Sequence, residues 1–143
     1  MADLEGLSMM RIGEAARLSG VSVKLIRYYE AAGLLSPTRR HANGYRIFDG
    51  RIVHELRFIK RARFLGFPIK QIDELLGLWL DKKRPSRKVR ALAERHVQAI
   101  ASRMQAHRAI IKVLGRLIEA CKGDDRPDCP ILDDLGLEDA RKR

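Results

Sequence analysis

The stretch that decides the fold is residues 11–35, RIGEAARLSGVSVKLIRYYEAAGLL. Apolar residues recur at helical spacing over residues 12–19, and Gly20 then supplies a residue suited to a left-handed turn. Ser22 is a favourable N-cap for a second helix, whose apolar face continues until Gly33 ends it. Two short helices joined by a glycine-containing turn predict a helix-turn-helix unit.

A basic hairpin is predicted directly after this unit. It begins at Arg39 and contains Asn43-Gly44, a strong signal for a tight turn. Tyr45 and Phe48 are strand formers on the far side of that turn. Asp49 can then cap a third helix.

Two helices are expected on either side of Gly66-Phe67-Pro68. The third helix carries apolar residues as far as Leu65, and the fourth covers residues 69–80 with Trp79 on its inner face. Residues 81–85 form a charged connector between this region and the rest of the chain.

One long helix is predicted from Ser86 to about Ala120, because Gly115 is the only glycine or proline in that segment. Its apolar residues step by three or four, as in a coiled-coil seam. A lone helix cannot bury such a stripe, so we expect a second copy to cover it. The alternative is a stripe packed on its own domain. The seam residues are Val89, Ala93, His96, Ile100, Met104, His107, Ile111, Leu114 and Ile118.

The formal charge of +11 points to a polyanionic partner, and nucleic acid is the usual one. The charge is unevenly placed. Residues 11–63 hold 12 Lys or Arg against 4 Asp or Glu, whereas residues 121–139 hold 2 against 7. The N-terminal half is therefore the part expected to meet phosphates.

The sequence gives no sign of a membrane span or a secretory signal. No apolar run approaches the roughly 20 residues that cross a bilayer, and residues 1–9 contain no basic residue. A cytoplasmic protein is expected. In a reducing compartment, thiols are more often metal-binding or redox-active than bridged in a structural disulfide.

Cys121 and Cys129 are the only cysteines, and they enclose a short acidic loop without a histidine. Two soft ligands are too few for the tetrahedral shell of structural zinc, but two thiolates can satisfy a monovalent soft ion such as Cu(I). Four interpretations stand at this point: incidental buried cysteines, a disulfide switch, part of a divalent-metal site, or a monovalent-metal site. The acids between the two cysteines do not form a full oxygen shell for Ca²⁺ and are treated as a solvated rim.

Several motifs together resemble the winged helix-turn-helix of MerR-family regulators, and the match runs from about Met10 to Leu135. The stretch from Cys121 to Leu132 is similar to the Cu(I)-sensing branch of that family, the CueR and HmrR type. The matching motifs are Arg11-Ile12-Gly13-Glu14-Ala15-Ala16, Gly20-Val21-Ser22, Ile26-Arg27-Tyr28-Tyr29-Glu30, Gly33-Leu34-Leu35, Asn43-Gly44-Tyr45-Arg46 and Gly66-Phe67-Pro68-Ile69.

This resemblance implies a mainly α fold with a winged helix-turn-helix DNA-binding domain, a long dimerisation helix forming an antiparallel coiled coil, and a C-terminal metal-binding loop. The expected divisions are a flexible extension over 1–9, the DNA-binding domain over 10–80, the connector and coiled-coil helix over 81–120, the metal loop and a short helix over 121–135, and a flexible tail over 136–143.

The resemblance also implies the function. Such proteins bind a palindromic promoter operator as homodimers and act on RNA polymerase by distorting double-stranded DNA when the effector binds. For this chain the implied effector is Cu(I), with Ag(I) or Au(I) equally soft, and the implied targets are copper-resistance or efflux genes. The alternatives are a divalent-metal or thiol-redox sensor on the same scaffold, and an architectural DNA-binding protein without effector. An enzyme is not expected, because the sequence offers no nucleophile–base pair and no phosphate-cradling glycine loop.

The residues expected to contact DNA follow from the matched motifs. Lys24 is the candidate for reading a base edge, since a lysine can donate to guanine acceptors. The other basic residues of the third helix, such as Arg57 and Arg61, are given no site. The candidates are Val23, Lys24, Arg27 and Tyr28 on the recognition helix, Tyr45 and Arg46 in the wing, and Arg63 on the third helix.

Ser86 bears on metal selectivity. In family members that sense divalent ions, a cysteine stands at the start of the long helix and completes the site of the other subunit. Here the matching residue is Ser86, whose hydroxyl is a poor ligand for soft ions. Cys121 and Cys129 would then hold a monovalent ion alone, with about one negative charge left over for amide dipoles at the following helix start to stabilise.

Overall fold

The computed structural model describes residues 9–36, 39, 40, 42, 44 and 46–137. The chain forms two compact units, Met1–Leu92 and Ala93–Arg143. The fold is mainly helical, as the sequence predicted. The elements are α1 (Ile12–Ser19), α2 (Val23–Ala31), β1 (Arg39–Arg40), β2 (Arg46–Ile47), α3 (Gly50–Phe64), α4 (Ile69–Leu80), α5 (Ser86–Ala120) and α6 (Pro130–Gly136).

The turn between α1 and α2 is built as the sequence predicted. Gly20 ends α1 in the left-handed region at φ 73°, and its amide donates to the carbonyl of Ala16 at 2.9 Å. Ser22 caps α2, because its hydroxyl accepts a hydrogen bond from the Leu25 amide at 3.2 Å. These two caps fix the angle at which α2 leaves α1.

The predicted hairpin is present as a small antiparallel wing. Arg39 lies opposite Ile47 and Arg40 opposite Arg46 in its ladder. At its base, Phe48 is fully buried and exchanges two backbone hydrogen bonds of 2.8 Å with Met10. The wing is therefore anchored to the segment that precedes α1.

The core of the first unit centres on α3, which packs against α1 and α4. Asp49 caps this helix, since its carboxylate accepts a hydrogen bond from the Ile52 amide at 3.1 Å. Burying each large apolar side chain contributes roughly 1.5–3 kcal/mol. The largest fully buried side chains are Phe48, Ile26, Leu56, Ile59, Ile72 and Val53.

Two residues, Leu65 at the end of the third helix and Trp79 on the inner face of the fourth, differ from the sequence-based expectation. Leu65 is exposed, because α3 ends at Phe64 and the chain turns away at Gly66 with φ 87°. Trp79 is 40% exposed and stacks on Phe58, with ring centroids 4.7 Å apart. Leu65 thus lies one residue beyond the helix on which the sequence placed it, and Trp79 covers the edge of the core rather than its centre.

Arg57 connects α3 to the helix-turn-helix. Its Nε and Nη2 atoms donate to the Leu18 carbonyl at 3.1 and 2.7 Å. A guanidinium that holds an α1 carbonyl in this way has a structural role.

In the second unit, α5 leaves a row of apolar side chains exposed. Of the predicted seam, His96 is buried. Most of the remaining large apolar members are open to solvent, and Ile111 is 67% exposed. Among the described residues, no helix is long and apolar enough to cross a membrane.

Candidate nucleic-acid interface and metal-binding loop

The recognition helix α2 has one buried face and one accessible face. Ile26 and Tyr29 are buried in the core of the first unit. Lys24, Arg27 and Tyr28 are exposed at spacings of three and four residues, which places them side by side on the helix surface. The half-buried Val23 begins this surface. The structure therefore groups the four predicted recognition-helix residues on one accessible surface.

The wing contributes Arg46, whose side chain is 42% exposed. Its guanidinium pairs with the carboxylate of Glu30 in the last turn of α2. Both carboxylate oxygens of Glu30 are shielded from solvent. Tyr45, the other DNA contact predicted in the wing, lies outside the described residues.

A cleft of about 730 Å³ lies between the wing, the start of α1 and the end of α2. Three arginines line it, and among the described residues its lining contains no acidic side chain. Its lining residues are Arg11, Ile12, Gly13, Arg27, Ala31, Gly44, Arg46 and Phe48. Two of the predicted DNA contacts, Arg27 and Arg46, thus meet at one concave site.

Arg63 is exposed in the last turn of α3 and does not line this cleft. Its side chain is accessible, but it does not lie in the cleft that Arg27 and Arg46 line. Its assignment as a phosphate contact stays a prediction.

Sequence reasoning missed two residues of this interface. The sequence assigns no role to Arg11, although it lines the cleft immediately before α1. It likewise assigns no role to Glu30, which pairs with Arg46. A signal was available for Arg11, since a basic residue directly before a helix of the DNA-binding unit is well placed for a phosphate.

The candidate metal-binding loop lies between two helix ends. The amide of Cys121 donates to the Leu117 carbonyl at 3.0 Å, so this residue closes the last turn of α5. Cys129 is the N-cap of α6, and its carbonyl accepts from the Asp133 amide at 3.0 Å. Both thiols are free and half-buried. Each cysteine therefore lies at a helix boundary.

The acids of the loop have local roles. The carboxylate of Asp124 accepts a hydrogen bond from the Arg126 amide at 2.9 Å, and the Arg126 side chain approaches the same carboxylate at 3.7 Å. In the part of the chain that the structure describes, no three His, Cys, Asp or Glu side chains could share a metal ion. The soft donors of the described loop are two thiols, fewer than the four ligands of structural zinc.

Ser86 is the first residue of α5 and is exposed. Its hydroxyl lies at the start of the helix. A cysteine at this position would likewise expose its thiol to a metal ion. Its predicted role in selectivity depends on a second subunit and stays a prediction.

Two family models match the chain. One, described as MerR HTH family regulatory protein, covers residues 10–79, and the other, described as MerR, DNA binding, covers residues 53–117. Together they span the helix-turn-helix, the wing and most of α5.

Similar proteins are found among bacterial regulators. The HTH-type transcriptional regulator HmrR of Sinorhizobium medicae is 48% identical over 88% of this chain and 86% of its own length. The HTH-type transcriptional regulator CueR of Escherichia coli is 35% identical over 88% of this chain and 93% of its own. Among solved structures, the regulator PbrR691 from Ralstonia metallidurans in complex with lead(II) superimposes with a TM-score of 0.80 at 30% identity, covering 88% of this chain and 98% of the other.

Proposed function

Because the chain belongs to the MerR family of metal-dependent transcription regulators, we propose that its effector is Cu(I), with Ag(I) or Au(I) as chemical equivalents. Proteins of this family bind DNA and are not enzymes. We further propose that Cys121 and Cys129 hold the ion, and that the bound ion activates copper-resistance or efflux genes.

The observation that carries this proposal is the pair Cys121 and Cys129, without a third soft ligand near them in the described chain. Two thiolates suit an ion that accepts linear coordination, whereas divalent ions would be left under-coordinated. A bound Cu(I) ion supplies one positive charge and leaves about one negative charge on the pair. Cys129 caps α6, so the first amides of that helix lie beside this residual charge.

DNA recognition is proposed to use the accessible face of α2 and the wing. Lys24 reads a base edge in the major groove, while Arg27, Tyr28 and Arg46 fix the register on the backbone. Val23 contributes apolar contact, and Tyr45 and Arg63 add backbone contacts. Spread contacts of this kind can offset the roughly 1–6 kcal/mol needed to bend a site of 20–30 base pairs.

A homodimer is proposed because α5 exposes apolar residues at coiled-coil spacing on a helix of 35 residues. A second copy of α5 would cover them in an antiparallel coiled coil. Two DNA-binding units then face two half-sites of a palindromic operator, as a dimer requires. The protein would act in the cytoplasm, on RNA polymerase held at a promoter with a long spacer.

The decisive experiment is transcription in vitro from a promoter with a long spacer, under reducing conditions, with Cu(I), Ag(I) and Zn(II) compared. Activation by Cu(I) and Ag(I) but not by Zn(II) is expected. The matched variants are Cys121→Ser and Cys129→Ser, each of which should abolish activation while leaving DNA binding intact. Asp125→Asn, in the same loop, is the control and should respond normally.

The lead(II)-bound relative makes a divalent-metal sensor the second candidate. Activation by Zn(II) or Pb(II) without a response to Cu(I) would establish it and overturn the Cu(I) proposal. Transcription that does not change with any metal, in the wild type or in either cysteine variant, would instead favour an architectural DNA-binding protein.

A further inference from the structure

The structure assigns a phosphate site to the cleft between α1, α2 and the wing. Arg11, to which the family resemblance gave no role, becomes a DNA contact at this site. We propose that this cleft takes one backbone phosphate of duplex DNA. The inference rests on the proposed DNA-binding function and names a further contact residue for it.

The walls of the cleft carry the charge that a phosphate needs. Arg11, Arg27 and Arg46 all line it. Arg46 is positioned there by its ion pair with Glu30. Arginine matches phosphate with a planar fork of donors and is the usual choice where a phosphate must be oriented.

The floor of the cleft strengthens these contacts. The apolar part of its lining includes Phe48, which is fully buried, and Ile12, which is half-buried. An apolar floor keeps water from one side of the site, and charge–charge attraction is stronger where the effective dielectric constant is lower.

The shape of the cleft also admits a DNA backbone. Gly13 and Gly44 bring only main chain to its rim, and open space lies where a side chain would begin at either one. A cleft of about 730 Å³ is larger than a phosphate group alone, so it has room for the sugars on both sides.

The position of the cleft ties it to the recognition helix. Arg27 belongs both to the cleft and to the exposed face of α2 that carries Lys24. A phosphate held between Arg11 and Arg27 would fix the depth at which Lys24 enters the groove. Phosphate contacts position a protein in this way without reading sequence.

The test compares Arg11→Ala with Arg17→Ala. Arg17 is an exposed arginine of the same helix, but it pairs with Glu14 and does not line the cleft. The affinity of the full-length protein for a random-sequence duplex is measured by fluorescence anisotropy at several salt concentrations. Each phosphate contact adds about 0.9 to the slope of log affinity against log salt.

The expected result is a slope smaller by about 0.9 per bound protomer in Arg11→Ala, with no change in Arg17→Ala. Arg11→Lys keeps the charge and should retain the wild-type slope. Circular dichroism of each variant confirms that the comparison is made between folded proteins.

Equal slopes for Arg11→Ala and Arg17→Ala, with strong salt dependence kept in the wild type, would overturn the assignment of Arg11 alone. A wild-type protein without salt-dependent binding to duplex DNA would instead overturn the DNA-binding function on which the assignment rests. The two failures are thus separated in one experiment.

Discussion

The carboxylate of Glu30, in the last turn of α2, pairs with the guanidinium of Arg46 in strand β2. The recognition helix and the wing are therefore joined by a direct ion pair whose acidic member is shielded from solvent. Such a pair fixes an arginine that would otherwise sample many rotamers. We expect its main effect to be on the geometry of DNA contact rather than on the total charge.

Glu30→Gln should therefore affect binding to random-sequence DNA and binding to the operator differently. The variant gains one unit of positive charge, so its affinity for random-sequence DNA should hold or rise. Its affinity for the operator should fall, because Arg46 is no longer held in place. Unfolding free energy should decrease by about 1 kcal/mol, since Arg46 is partly exposed and can be hydrated.

The measurement is fluorescence anisotropy on operator and random duplexes, with denaturant unfolding of the same samples. Glu14→Gln is the control, because Glu14 forms an exposed pair with Arg17 within α1. That pair lowers the pKa of Glu14 through a hydrogen bond from Arg17. An unchanged operator-to-random ratio in Glu30→Gln would contradict the positioning role.

Lys24→Ala should relax sequence preference at one base pair of each half-site. A base-edge contact discriminates by about 1–3 kcal/mol, whereas a phosphate contact does not discriminate at all. Binding to a set of singly substituted operators measures the effect, and metal affinity should be unaffected. Lys70→Ala, an exposed lysine on α4, is the control. A uniform loss across all operators would reassign Lys24 to the backbone.

Ser86→Cys should extend metal binding to divalent ions. A third thiolate at the start of α5 would supply the ligand that divalent sensors of the family possess, and Zn(II) or Pb(II) should bind at least about tenfold tighter, or ~1.4 kcal/mol. Competition titration against a chromophoric chelator measures this gain. Ser102→Cys adds a thiol elsewhere on α5 and should bring no such change. Equal gains in both variants would argue against the predicted role of Ser86.

Ile111→Asp should weaken the dimer by at least about tenfold, because a carboxylate would be placed where an apolar seam must close. Sedimentation equilibrium over a range of protein concentrations measures the change. Lys112→Asp places the same charge at the neighbouring exposed position and should dimerise normally. If both variants changed the association constant equally, or if neither changed it, α5 would not pair along the predicted seam.

The elements that sequence predicted best are those bounded by local signals. Gly20 and Ser22 each act within a few residues of their own position, so α1 and α2 have the expected boundaries. The long helix α5 also runs over the predicted residues, because the segment contains no proline and only one glycine. Leu65 shows the limit of such signals, because helical spacing continued one residue past the point where the helix ends.

The interface could be predicted only in part. The resemblance identified Arg27 and Arg46, but their convergence with Arg11 depends on packing between separate elements. The hydrogen bonds from Arg57 to Leu18 join residues 39 positions apart. No periodicity within a short window carries that information, which is why the sequence left Arg57 without a role.

The backbone bridge between Met10 and Phe48 has a practical consequence for anyone who handles this protein. Met9 is exposed, and the next residue is already hydrogen-bonded to the base of the wing. A purification tag or fluorescent fusion placed upstream of Met9 would join the unit next to the wing, which is proposed to contact DNA. Labels intended to leave operator binding undisturbed should be attached at a different point on the chain.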